Sequence, residues 1–300
     1  MEDLPRTTPE DKMAISRMSS AESKPKEEQE PAWSDPSLRE PRYSQSLERG
    51  LAILGCFTPK RPVLGIADIA DDLGMSRSTT HRYVITLVAL GYLEQGASRK
   101  YRLGLRVTDL GMSALNSTGL REHAHPYLEE LGQRTSYTTS LGVLDGIDVL
   151  YIDRVRSFRR GQGKIEINLH TGSRVPAYCN SMGKLLLASL PDSEQRDLIA
   201  QMKLTKRGPN TITSKKALRE ELEEIREAGF AVDDQEFAPE LFAISAPVRN
   251  DTGVVAATGL SAHSSMISLE ELVDALGPHL VSTADRIAAR LGYRRNDETP

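Results

Sequence analysis

Apolar positions along this chain fall into two periods. In residues 65–104, GIADIADDLGMSRSTTHRYVITLVALGYLEQGASRKYRLG, the residues Ile66, Ile69, Ala70 and Leu73 recur at i, i+3, i+4 and i+7, the stripe of a helix that Gly74 ends. Ser76 can cap a second helix, because its hydroxyl accepts a first-turn N–H that has no partner inside the helix, and Val84, Leu87, Val88 and Gly91 supply that helix's stripe. Residues 92–94 and 99–103 alternate as two short strands around Gly96, with Tyr101 and Leu103 on one face and Lys100 and Arg102 on the other. Upstream, residues 46–57 (SLERGLAILGCF) predict a helix with a Ser46 cap and with Leu47, Leu51, Leu54 and Phe57 on one side, stopped by Pro59 and Pro62.

Helical spacing returns in residues 106–116 and 120–134, a two-part link. Strands are expected at 136–145 and 147–156 around Asp145-Gly146, a dipeptide that favours a tight hairpin, and at 164–169. In residues 172–191 (GSRVPAYCNSMGKLLLASLP) Pro176 excludes a continuous strand and 180–190 reads as a short helix, followed by amphipathic helices at 192–202 and 214–229. Strands at 230–237, 241–249 and 254–262 precede a long helix over 268–291, bent at Gly277-Pro278. Consecutive hairpins with segregated helices define an α+β class: a winged helix-turn-helix, a linker helix and a second domain with an antiparallel sheet flanked by helices. The expected organisation is a disordered tail over 1–41, the winged helix over 42–104, the linker over 105–120, a second domain over 121–293 and a short disordered tail over 294–300.

Charge sharpens this picture. Residues 41–112 hold ten cations against six anions, in a chain of 300 residues whose overall charge is -4. Arg77, Ser78, Thr79, Thr80, His81 and Arg82 open the second helix with no acid among them, which is what a recognition helix needs to reach base edges and phosphates, and Lys100 and Arg102 make the ribbon a basic wing for the backbone. A plain helical hairpin with a polar outer face is the alternative, and the coincidence of apolar spacing, turn and charge segregation argues against it. The tail is rich in Pro, Ser, Glu, Lys and Arg, with Trp33 its one aromatic residue. No apolar run is long enough to span a bilayer and the start has no secretion signal, so a cytoplasmic protein with no membrane partner is expected. Two cysteines, Cys56 and Cys179, argue for a reducing compartment.

Catalytic and metal chemistry finds little support. Residues 157–163 (SFRRGQG) fail as a phosphate loop, because Phe158 stands where glycine is needed and Ile165 where Ser or Thr is needed. Cys179, beside a helix start, invites a nucleophile, but nothing is placed to activate it, and a pocket-lining role suits it better. His123 and His125, two apart on a helix, diverge and do not make a metal site. Asp233, Asp234 and Glu236 are candidate paired acids, yet adjacent strand positions face opposite ways, so one or two at most enter a pocket; Arg154 or Arg156 could balance them or meet a ligand carboxylate. The acidic and basic cluster Lys215, Lys216, Arg219, Glu220, Glu221, Glu223 and Glu224 reads as a solvated helix face.

The segments SRSTTHRYVITLVALGYLE, GSRVPAYCNSMGKLLLA, GFAVDDQE and ISAPVRNDTGVVAATGLS together resemble the IclR family of bacterial transcription regulators, over residues 44–291. AYCNSMGKLLLA with VDDQE is most similar to the branch that controls aromatic-acid catabolism through the β-ketoadipate pathway. The resemblance implies a GAF-like C-terminal domain that binds a small organic acid, no cofactor, and homodimers or dimers of dimers on double-stranded operator DNA. It implies effector contacts at Met182, Gly183, Asp233, Ala243, Gly259 and Ser261; Cys179, Ser181 and Glu236, their neighbours in sequence, are further candidates. Ala243 and Gly259 stand where better-known members carry cysteine and serine, which implies a roomier, less polar pocket suited to an aromatic acid. An enzyme acting on a small carboxylic acid is the rival class, and an RNA- or protein-binding adaptor a third, which lacks the interleaved aromatics of single-strand binders.

Overall fold

Ser44, not Ser46, opens the first helix: its hydroxyl accepts the Leu47 N–H at 3.4 Å at the head of α1 (Gln45–Gly55). In the computed structural model, which describes residues 43–156 and 169–293, two compact units divide between Gly104 and Leu105. The expected stripe on α1 is wrong in part. Leu47 and Leu51 are 64% and 58% exposed, whereas Ala52 and Ile53 enter the core. Helix α1 is apolar on two faces, and the one carrying Ile53 packs.

In the first unit α2 (Ile66–Asp72) and α3 (Arg77–Ala89) follow, with Gly74 at φ +60° making the turn and the Ser76 hydroxyl accepting the Thr79 N–H at 3.2 Å. Ile53, Phe57, Leu64, Ile69, Val84, Leu87, Leu93 and Tyr101 form the core. Helix α3 ends before Gly91, which turns the chain at φ +79° rather than extending the stripe. Strands β1 (Leu93–Gln95) and β2 (Tyr101–Leu103) pair antiparallel, Glu94 opposite Arg102. The tip holds Ser98 and Arg99 at φ 61° and 55°, so β2 starts two residues later than its alternation suggested.

The second unit begins with α4 (Arg106–Asn116), none of whose residues is buried, and α5 (Leu120–Thr135). A six-stranded sheet follows, antiparallel throughout, in the order β5-β4-β3-β8-β7-β6. Its strands are β3 (Thr138–Asp145), β4 (Asp148–Val155), β5 (Arg174–Pro176), β6 (Ala231–Asp234), β7 (Leu241–Asn250) and β8 (Gly253–His263). Pro176 is accommodated because β5 is a short edge strand. The strand expected at 164–169 and the loop at 157–163 lie outside the described residues but for Leu169, which is not in a strand.

Helices cover both faces. On one, α5 and α9 (Gly277–Arg290) bury Leu128, Leu131, Leu141, Ile244, Leu260 and Ile287; a five-residue π turn, Leu272–Leu276, produces the bend before Gly277-Pro278. On the other, α6 (Ser181–Ala188), α7 (Asp192–Gln201) and α8 (Lys215–Ala228) bury Val149, Leu187, Ile199, Leu218 and Leu222. Arg286 forks onto Glu130 at 2.9 and 2.8 Å, tying α9 to α5. Among the described residues no helix is long and apolar enough to cross a membrane.

Candidate DNA-reading surface and effector pocket

The Ser76 cap leaves the first turns of α3 facing out, with Arg77, Ser78, His81 and Arg82 exposed and Thr79 half-buried, its hydroxyl accepting from Ser76 at 2.8 Å. Thr80 is a correction. It is 0% exposed and donates its hydroxyl to the Ser76 carbonyl at 3.1 Å, so it belongs to the inward stripe with Val84 and Leu87 and cannot touch DNA. The spacing 80, 84, 87 carried that signal. On the ribbon, Lys100 is exposed as expected, but Arg102 is held by the carboxylate of Glu94, with Nε at 3.0 Å and Nη2 at 2.8 Å. Its charge is matched across the strands and offers less to a phosphate than a lone arginine. Arg99, not singled out from the sequence, adds an exposed cation at the ribbon tip.

In the second unit strand register brings distant residues onto the sheet face that meets α6. Asp233, Ala243, Ser261 and Thr138 form one cross-strand row, and Ser245, Gly259, Ser140 and Arg154 the row containing the next same-face positions. Ser181, on the first turn of α6, shares a 2.7 Å hydrogen bond with Ser245. A Cβ on Gly259 would stand 3.1 Å from Ser245 Oγ and 3.4 Å from Met182 Cγ, and one on Gly142 would stand 3.4 Å from Met182 Sδ and Cε. The room expected from Gly259 is therefore already taken, by Ser245 Oγ, the Ile244 carbonyl at 3.2 Å and the stem of Met182, of which the methionine is the flexible member.

Gly183 serves packing. Its N–H is capped by Asn180 Oδ1 at 2.8 Å, and a Cβ there would overlap the Ala177 backbone carbonyl, so glycine lets α6 press against the preceding turn. Gly183→Ala is expected to lower stability by ~1–3 kcal/mol through overpacking, read as a shifted denaturation midpoint; an unchanged midpoint would mean the turn at Ala177 yields. Cys179 is fully buried, with its thiol 3.5 Å from the Pro176 carbonyl, and burial pushes its pKa up to about 12, which disfavours the thiolate a nucleophile needs.

The acid end of the site is unusual. Asp233 is 1% exposed; Oδ1 accepts the Glu236 N–H at 2.7 Å, while Oδ2 is buried without a hydrogen-bond partner. Burial, reinforced by the charge of Glu236, raises its pKa to about 8. Asp234 turns away to Asn210 at 3.0 Å, as strand alternation requires. Glu236 Oε1 accepts from Lys184 at 2.5 Å while Oε2 has no partner, and Lys184, 1% exposed, also donates to Glu221 at 2.6 Å. Burial opposes the lysine's charge, but the two carboxylates outweigh it and raise its pKa. Glu221 thus leaves the solvated face assigned to it. Lys184 was overlooked, although a lone lysine beside LLLA in a short helix is itself a signal. Ser140, Tyr151 and Ser245 were also missed, since only register places them here. Arg156 is exposed, with Nη2 3.4 Å from the Leu169 carbonyl, while Arg154 reaches Ser140 Oγ at 3.0 Å. His125 Nδ1 donates to Asp153 at 2.6 Å, and among the described residues no group of three His, Cys, Asp or Glu could hold a metal.

A capped, cation-bearing helix with a ribbon in one unit, and a sheet face enclosing polar groups in the other, define a ligand-sensing DNA-binding regulator. Family models agree: the IclR helix-turn-helix domain matches residues 46–97 and the bacterial transcriptional regulator IclR C-terminal domain matches residues 112–289. The HTH-type transcriptional regulator XynR of Escherichia coli is 35% identical over 83% of this chain and 98% of its own, and the Pca regulon regulatory protein of Pseudomonas putida is 32% identical over 84% and 86%. An IclR homolog from Microbacterium hydrocarbonoxydans, solved with 4-hydroxybenzoate, superposes with a TM-score of 0.72 at 27% identity, over 82% of this chain and 99% of that one. The chain belongs to the IclR family of bacterial transcriptional regulators, and its relatives being regulators removes the enzyme alternative.

Proposed function

We propose that the protein binds a palindromic operator as a homodimer or dimer of dimers, through α3 and its wing, and releases or grips it according to a small aromatic acid held between α6 and the sheet. The observation that carries this reading is the row of exposed donors Arg77, Ser78, His81 and Arg82 behind the Ser76 cap, in a unit separate from the one holding the polar pocket. A second copy is supported by apolar side chains left in water: Leu105, Leu110 and Met112 at α4 are 80%, 58% and 41% exposed. Two-fold pairing would set two recognition helices about one DNA turn apart. The aromatic preference rests on the 4-hydroxybenzoate held by the Microbacterium relative, and on Ala243 and Gly259, which put few polar groups on the sheet face.

Arg77→Ala is expected to weaken operator binding by roughly tenfold or more, the worth of a charge-assisted contact, with effector affinity unchanged. Asp233→Ala or Met182→Trp should do the reverse. Gel shifts against the gene's own upstream DNA at several salt concentrations, paired with thermal shifts against aromatic and short-chain acids, read both. Joint loss of both functions in every variant would oppose separate sites, and salt-insensitive or absent binding would oppose the DNA reading.

A further inference from the structure

A β-bulge decides which charged side chain of β4 lies on the sheet face toward α6. Register runs from Leu141 opposite Asp153 to Gly142 opposite Tyr151, leaving Ile152 as the extra residue. Tyr151 and Arg154, three apart, consequently share the α6-facing side, where the guanidinium lies 5.8 Å from the Tyr151 ring centre. Asp153 is sent to the opposite face, under α5, where His125 and Arg121 meet its carboxylate at 2.6 and 3.6 Å.

We infer that Arg154 is the residue that seats the effector's carboxylate, so that the ligand's acid group lies at the β4 end of the pocket and not at the first turn of α6. This rests on the effector-sensing reading above. A guanidinium presents five donors in a planar fork that fits a carboxylate bidentately. Here Nη1 is bonded to Ser140, Nε is buried with no partner, and no carboxylate pairs with the Arg154 guanidinium among the described residues. Burying such a fork is costly unless an anion completes it.

The other seats are disfavoured. At the head of α6 the Gly183 N–H is already taken by Asn180, and the Lys184 charge is already matched by Glu221 and Glu236. The opposite end carries Glu236, whose charge repels a carboxylate, and the unpartnered oxygens Asp233 Oδ2 and Glu236 Oε2, which suit a hydroxyl. Between the poles run Ser140, Gly259 and Ser245. The arrangement selects an acid whose far end is neutral or hydroxylated.

The test uses the full chain in calorimetric titrations with benzoate, 4-hydroxybenzoate and pyruvate, each beside its neutral amide. Wild type should prefer the acids. Arg154→Gln should weaken the strongest acid by roughly 10- to 100-fold, the worth of a charge-assisted pair, and leave the matching amide unchanged; Arg154→Lys should fall between, and Arg156→Gln should bind as wild type. The amide arm separates lost recognition from lost folding. Equal acid affinity in wild type and Arg154→Gln, or equal losses for acid and amide, overturns the assignment while acid sensing stands. A wild-type chain that binds none of the acids overturns acid sensing, and the assignment with it.

Discussion

Lys184→Met is expected to destabilise the second unit by ~3–5 kcal/mol, the usual consequence of deleting one partner of a buried charge pair. Its ammonium is enclosed, 2.5 Å from Glu236 and 2.6 Å from Glu221, and Glu236 is itself buried. Methionine fills the stem's volume but leaves Glu236 to choose between an unpaired charge in the interior and the uptake of a proton. A loss of this size is a large fraction of a domain's stability of ~5–15 kcal/mol, and it should lower the melting temperature by roughly 10 °C. Burial already raises the Glu236 pKa, and without the lysine it rises further. A raised carboxyl favours the fold at low pH and loses that contribution as pH climbs through the folded value, so the deficit should be greatest above neutrality and shrink toward pH 5. Lys184→Met with Glu236→Gln should recover much of the loss, because the remaining interior oxygen is neutral. A single variant that melts with wild type at pH 8 would show that water reaches Glu236 in place of the ammonium.

The elements of this fold were largely legible from apolar period and turn chemistry, because each depends on residues close in sequence. The cap at Ser76, the turn at Gly146 and the left-handed glycine at 229 are local devices, and each sits where the pattern put it. Which face of an element packs is not local. Leu47 and Leu51 give α1 as good a stripe as the one it buries, and the choice is made by α3 and the ribbon. Thr80 looked like a donor for DNA because its neighbours are, yet three-dimensional phase puts it inward. The pocket was the least legible part. Asp233, Ala243 and Ser261 meet only through register across three strands, and the residues at the two poles, Arg154 and Lys184, depend on a bulge and on α8. The family resemblance supplied the row at 233, 243 and 261; of the charges around it, Glu236 and, as an alternative to Arg156, Arg154 were candidates from the sequence, and Lys184 was not.

Replacing Asp233 by asparagine should make the protein more stable at pH 8 and flatten its stability profile. The ordinary carboxyl pKa of 3.8 rises to about 8 in the fold, chiefly through burial and secondly through Glu236. An acid raised in this way stabilises the native state below its unfolded pKa, and that contribution is lost progressively as pH rises toward the folded value. Wild-type stability should therefore decline by a few kcal/mol between about pH 4 and pH 8, with ~1.4 kcal/mol for each tenfold change in proton affinity as the upper limit. Asparagine keeps the acceptor for the Glu236 N–H and can turn its amide toward the unpartnered Glu236 Oε2, with no proton to lose. Denaturant melts of both proteins from pH 5 to 9 read the difference. The same titration bears on sensing. Once Asp233 ionises, a second negative charge faces any bound acid, so wild-type affinity for the best acid of the panel should fall between pH 7 and 9 while Asp233→Asn holds its affinity. Parallel profiles for the two proteins would mean that Asp233 is already ionised at neutral pH, and that the fold tolerates its charge by a route other than neutralisation.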